Sequence, residues 1–138
     1  MNRVTLKTII LAMGLLFAGC AANVAWADAV VDCNQREDHD KTIRGCAQLI
    51  EAKTLSPNDL AVAYFFRGRA FEAKKDWENA IKDYVEAVRL NHPELVSSVS
   101  ARILLLIDEH RDHPVAQKAL EELALLLRSP KDRSGDKK

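Results

Sequence analysis

Three cysteines and four histidines are the residues best suited to chemistry in this chain of 138. The stretch DCNQREDHDKTIRGC, residues 32–46, sets Cys33 and Cys46 on either side of His39. Two thiolates and an imidazole would supply three ligands of a tetrahedral zinc site. Two thiols could also cycle as a redox pair, although such pairs usually have the shorter C-x-x-C spacing. Oxidised, they would form a disulfide. Spacing alone does not choose, because reduced thiols and disulfides belong to different compartments. A second cluster, DEHRDHP at residues 108–114, sets His110 and His113 among Asp108, Glu109 and Asp112, a donor set able to grip a divalent ion. The same residues suit a helix end followed by a cap, with His near the last carbonyls and Asp before the next helix. The gap between the two histidines spans a predicted helix break, which favours the helix-end reading, so no metal is expected. A metal-dependent envelope enzyme using His110 and His113 is the alternative.

The compartment is written at the start of the chain. MNRVTLKTIILAMGLLFAGCAANVAWADA has Arg3 and Lys7 without an acid, an apolar run from Ile9 to Ala18, and then small residues. That is the layout of a secretory signal peptide, over residues 1–27, and the run is too short to span a bilayer comfortably. Cleavage after Ala25-Trp26-Ala27, an A-x-A site, would release a soluble periplasmic or secreted chain beginning at Asp28. Leu16-Phe17-Ala18-Gly19-Cys20 resembles a bacterial lipobox, with Phe17 where that family prefers Leu; the resemblance implies an alternative in which a lipidated Cys20 anchors the protein to a membrane. Both outcomes leave Cys33 and Cys46 as an even pair in an exported chain, which favours a disulfide. Closing a loop of about 14 residues stabilises by ~3 kcal/mol in the chain-entropy model. Zinc with His39, or a redox pair, stays as an alternative.

Without residues 1–27 the chain has 138 − 27 = 111 residues, enough for one small domain with a modest core. Two of the 20 bases fall in the leader and none of the 20 acids does, leaving 20 − 2 = 18 bases against 20 acids. That balance recruits neither nucleic acid nor an anionic membrane, so membrane contact is expected only through Cys20. RSPKDRSGDKK at the end has five bases against two acids and no apolar residue, and residues 129–138 read as a disordered tail. The glycines beyond the leader, Gly45, Gly68 and Gly135, are isolated, so no loop can wrap a phosphate. No nucleophile sits on a recognisable strained turn, and acid pairs such as Glu121-Glu122 read as solvated helix faces. Neither catalysis nor a cofactor is expected.

What must position any site is helical. Between Asp38 and Arg128 apolar residues recur at three and four, with short polar breaks and no strand signal. Five helices follow: about 40–53, from Ser56-Pro57 to about 74, from the cap Asp76 to Asn91-His92-Pro93, about 94–110, and from His113-Pro114 onward. Residues 28–39 read as an extended segment before a helical domain at 40–128. Breaks this short make neighbouring helices antiparallel hairpins. Leu120 and Leu127 belong to the buried stripe of the last helix, whereas Leu104, Leu105 and Leu125 fall outside the stripes. These three either pack under a neighbouring helix or mark a homodimer or partner contact.

Residues 61–93, AVAYFFRGRAFEAKKDWENAIKDYVEAVRLNHP, resemble a tetratricopeptide repeat. The family's W-x-x-L-G-x-x-Y appears as Tyr64-x-x-Arg67-Gly68-x-x-Phe71. Asp76-Trp77, Ala80, Tyr84 and Ala87 follow at family spacing, and Leu90-Asn91-His92-Pro93 closes the unit. Gly68 in a helix costs about 1 kcal/mol against Ala, which fits a pinch between helices, with Gly68 and Ala80 the small residues and Tyr64, Phe71, Trp77 and Tyr84 filling either side. Arg67 departs from the usual Leu: its stem lies along the hairpin with the charge in water, or the core is looser there. Thr42-Ile43-x-x-Cys46-x-x-Leu49 aligns with the second helix of the unit, so an earlier repeat lacks its first helix, and a disulfide to Cys33 would fold the N-terminal segment over the open end. The last two helices form a degenerate third hairpin, with Arg102 and Leu104 where a small residue is wanted. The resemblance implies an all-α, short helical-hairpin solenoid whose first helices line a groove that grips proteins or peptides. On this chain the groove face is Val62, Phe65, Phe66, Arg69, Glu72 and Ala73, and the implied partner is an unidentified protein or peptide.

Overall fold

The computed structural model describes residues 26–128, which are all-helical, with no strand among the described residues. The leader up to residue 25, Cys20 within it, and the tail at 129–138 lie outside the described residues. Helix α1 covers residues 26–33. It is followed by α2 (His39–Glu51), α3 (Pro57–Ala73), α4 (Trp77–Arg89), α5 (Val96–Glu109) and α6 (Pro114–Leu126).

Local sequence sets these boundaries. The Asp38, Ser56 and Asp76 side chains accept from the backbone N–H of Lys41, Asp59 and Asn79, capping α2, α3 and α4. Pro57 and Pro114 occupy the first turns of α3 and α6, where a missing N–H costs nothing. Lys53, Lys75 and Asn91 terminate α2, α3 and α4 in the left-handed region, at φ of 54°, 61° and 55°. After α3, Asp76 N–H bonds the Phe71 carbonyl at 2.9 Å and Lys75 N–H the Glu72 carbonyl at 2.8 Å, which satisfies carbonyls the helix end would otherwise orphan.

Consecutive helices from α2 to α6 pack on one another, and α6 also packs back on α4. The pair of Asp40 with Lys74 joins the first turn of α2 to the C-cap of α3, as antiparallel neighbours require. Two apolar clusters result. The larger joins α4, α5 and α6 through Ile81, Tyr84, Val99, Ile103 and Leu123, all at most 2% exposed. The smaller joins α1, α2 and α3 through Ala29, Cys33, Cys46, Leu49 and Ala63. Helix α3 supplies residues to both, with Phe65 against the first cluster and Phe66 against the second.

Several expectations change. Residues 28–33 are helical instead of extended, which makes six helices among the described residues. The N-terminal segment does cover the end of α2, as the disulfide reading expects, but it does so as the helix α1, and Gly45 lets the α1 backbone approach. A Cβ at Gly45 would lie 2.6 Å from the Cys33 amide nitrogen and 2.7 Å from the Ala29 carbonyl oxygen. Cys33 and Cys46 form a disulfide, with Cα atoms 4.6 Å apart, in the middle of this contact. Tyr84 does not flank the Gly68 pinch; its ring covers it, 2.8 Å from where a Cβ would stand. Leu120 and Leu127 are exposed like Leu104, Leu105 and Leu125, since α6 turns only its Ala116, Ala119 and Leu123 side to the core.

Arg67 is the largest departure from expectation. Its guanidinium is only partly exposed and grips Asp83 on α4 through Nε and Nη2, both at 2.8 Å. The two side chains are 20% and 7% exposed. Burial pushes the Asp83 carboxyl above its ordinary value while Arg67 pulls it back, and the Asp83 hydrogen bond raises Arg67 in turn. A bidentate pair of this kind fixes the rotation of α3 against α4.

Candidate functional site

Helix α3 turns a row of side chains towards a space with α4 beneath it and α5 beside it. Between them lies a groove of about 440 Å³. Phe65, Arg69, Glu72 and Ala73 line it from α3, Ser98 and Arg102 from α5, and Tyr84 of α4 forms its floor. The Phe65 and Tyr84 rings are 6.2 Å apart, a tilted aromatic pair within contact range. Arg69 extends its guanidinium over the Phe65 ring, 5.8 Å from the centroid, a cation–π arrangement that keeps the charge exposed.

Polar groups at the far end are tied together. Glu72 accepts from the Tyr84 hydroxyl at 2.7 Å and from Arg102 Nε at 3.0 Å, and a second guanidinium nitrogen of Arg102 pairs with its other oxygen. Burial pushes the Tyr84 phenol up to about 12, with Arg69 pulling the other way, so the hydroxyl stays a donor to Glu72 throughout the physiological range. The network joins α3, α4 and α5 and sets the width of the groove.

Two smaller spaces open on the other side of α3. One, of about 80 Å³, lies where the α1–α2 connection meets α3; Arg36, His39, Phe66 and Arg69 are on its walls. The other, of about 340 Å³, is apolar and lies against the disulfide, between Trp26 and Val30 of α1, Leu55, and Val62 and Phe66 of α3.

The six expected groove residues are therefore divided. Phe65, Arg69, Glu72 and Ala73 share the α3–α5 groove; Val62 and Phe66 face α1, Phe66 being half-buried against the smaller cluster. Helix α3 carries them on two faces because α1 and α2 pack on one side of it and α4 on another. Sequence reasoning missed Arg102, Ser98, Arg36 and His39 as wall residues. Arg102 was legible only as a misfit in a small-residue position, and its partner Glu72 lies 30 residues away.

The histidine cluster has a packing role. The His110 ring stacks on Trp77 at 4.1 Å and the His113 ring meets the same indole edge-on at 4.5 Å. His113 Nδ1 also accepts from the Val115 N–H at the start of α6. No group of three or more His, Cys, Asp or Glu side chains converges as metal ligands among the described residues. His39 lines the small space on α3 and is not beside the cysteines, which bond each other. No model of a protein family, no curated protein and no solved structure matches this chain.

Proposed function

We propose that this protein is an exported, tetratricopeptide-like scaffold that binds another protein or a peptide in the groove between α3 and α5. The observation that carries the reading is the composition of that groove: Phe65, half-buried over the buried Tyr84 ring, an exposed guanidinium on Arg69, and the Glu72–Arg102 pair at its far end. Aromatic residues and Arg dominate binding energetics where they meet a partner. The motif Tyr64-x-x-Arg67-Gly68-x-x-Phe71 followed by Asp76-Trp77 supports the family reading, and the hairpin packing of α3 on α4 is compatible with it.

The Phe65→Ala, Arg69→Ala double variant tests the groove. Arg69 is exposed and Phe65 is half-buried at the edge of the larger cluster, so the variant, shown to be folded by its helical circular dichroism, should lose the partner captured by crosslinking in intact cells. The expected loss exceeds about 2 kcal/mol of binding free energy. Undiminished capture would remove the groove assignment.

A second reading is favoured by α1. The helix runs through Ala27 and Asp28, and Trp26 forms one wall of the apolar space beside the disulfide. Cleavage after Ala27 discards that wall, whereas processing before Cys20 keeps it. The lipoprotein alternative, an anchored protein that helps assemble an envelope complex, therefore retains more of the folded unit. Labelling with radioactive palmitate supports it, and a mature mass beginning at Asp28 removes it.

A further inference from the structure

We propose that the outer face of the α5–α6 hairpin docks on the surface of a bilayer containing anionic lipid, with its leucines in the interface and the bases that follow α6 on the headgroups. The inference is independent of the groove reading and of any anchor at Cys20.

The face is apolar where the outer end of a helical stack is ordinarily polar. Leu104 and Leu105 of α5 and Leu120 and Leu127 of α6 are between 47% and 57% exposed, and Ala101 and Ala124 are exposed among them. Spacings of three and four put Ala101, Leu104 and Leu105 on one surface of α5, and Leu120, Ala124 and Leu127 on one surface of α6. The other flanks of both helices are occupied. Ser98 and Arg102 of α5 line the groove with α3, while Lys118 and Glu122 of α6 stand beside α4, where Glu122 pairs with Arg89. The leucine stripes take the flanks on which α5 and α6 adjoin, and so run together across the hairpin. Residues 129–138 hold no Leu, Ile, Val, Phe, Met or Trp with which to cover them.

Charge decides between occupants. Residues 128–138, which follow directly from α6, hold five bases against two acids, although the chain as a whole is balanced. Of the acids on the two helices, Asp108 is paired with Arg111 and Glu122 with Arg89, which leaves Glu109 and Glu121 at the edges of the patch. An apolar stripe beside a cluster of bases suits the interface of an anionic bilayer, because burial of the leucines and attraction of the bases act together. A second copy of the chain would instead bring a second basic tail to the same contact. No helix among the described residues is long and apolar enough to cross a membrane, so the face lies on the bilayer and does not span it.

The test is hydroxyl-radical footprinting of protein purified from cells expressing the full chain, with and without vesicles. It reads the exposure of each leucine whether or not Cys20 is acylated. Vesicles of phosphatidylglycerol and phosphatidylcholine should protect Leu104, Leu105, Leu120 and Leu127 from oxidation, pure phosphatidylcholine vesicles should not, and high salt should reverse the protection. Two variants, each folded by circular dichroism, should lose it: Leu120→Gln with Leu127→Gln, and Lys131→Gln, Arg133→Gln, Lys137→Gln and Lys138→Gln together. Protection that rises with protein concentration in the absence of lipid would mean that a second copy covers the face, and would overturn the proposal. Equal protection on both kinds of vesicle, or none on the anionic ones, would overturn it as well.

Discussion

Arg67 shows how a single residue can look like a defect in the sequence and be a determinant of structure. A tetratricopeptide-like pattern wants an apolar residue there, and nothing local announces that Asp83, 16 positions on, will be buried against it. Removing one member of a buried pair leaves the other uncompensated, so Arg67→Ala should destabilise the protein by about 3 kcal/mol near neutral pH in urea denaturation. The pH dependence has a definite sign. Burial already raises the folded-state value of Asp83, and deleting Arg67 removes the group that lowers it. A carboxyl raised on folding favours the native state below its unfolded value of about 3.9 and loses that contribution as pH rises through the folded value. The deficit of the variant relative to the parent should therefore shrink in acid and grow towards neutrality. A pH-independent deficit would mean that lost packing of the Arg67 stem, not the stranded carboxylate, is responsible.

Helices were the most legible level of this chain, and the reasons can be given element by element. α4 keeps one broad apolar face in the sequence, which α3, α5 and α6 share, and Asp76 marks its start without ambiguity. α3 lacks a single stripe because it is sandwiched, so both the partners of its aromatics and the wall contributed by α5 were hidden. α1 was missed because its few residues show no repeat, and its partner signal is Gly45, a residue that on its own reads as a weak helix former. Propensity predicts that Gly45→Ala would stabilise α2 by about 1 kcal/mol. Sterics predict the opposite, because the new Cβ would meet backbone atoms of Cys33 and Ala29 that cannot rotate away. We expect net destabilisation of about 1–3 kcal/mol, with faster amide exchange confined to α1 and α2. A stabilised variant would show that α1 is not held against α2 as described.

At the scale of the whole molecule the division into two apolar clusters governs how the protein comes apart. The Cys33–Cys46 bridge lies entirely in the smaller one, with α1 and α2. Reduction should cost ~3 kcal/mol in the chain-entropy model, and because the bridge lies within the smaller cluster the loss should stay local. Hydrogen exchange of the reduced protein should therefore show α1 and α2 opening while α4, α5 and α6 keep their protection; a uniform loss would mean that the clusters behave as one core. Overall size and helical class could be read from length and periodicity, but this seam could not, because it depends on which face of α3 meets which neighbour. Phe65 and Phe66 of α3 stand at that seam, one against each cluster. A bound peptide would thus act as a rivet across a joint, and the two halves of an occupied molecule should melt together where those of an empty one part company.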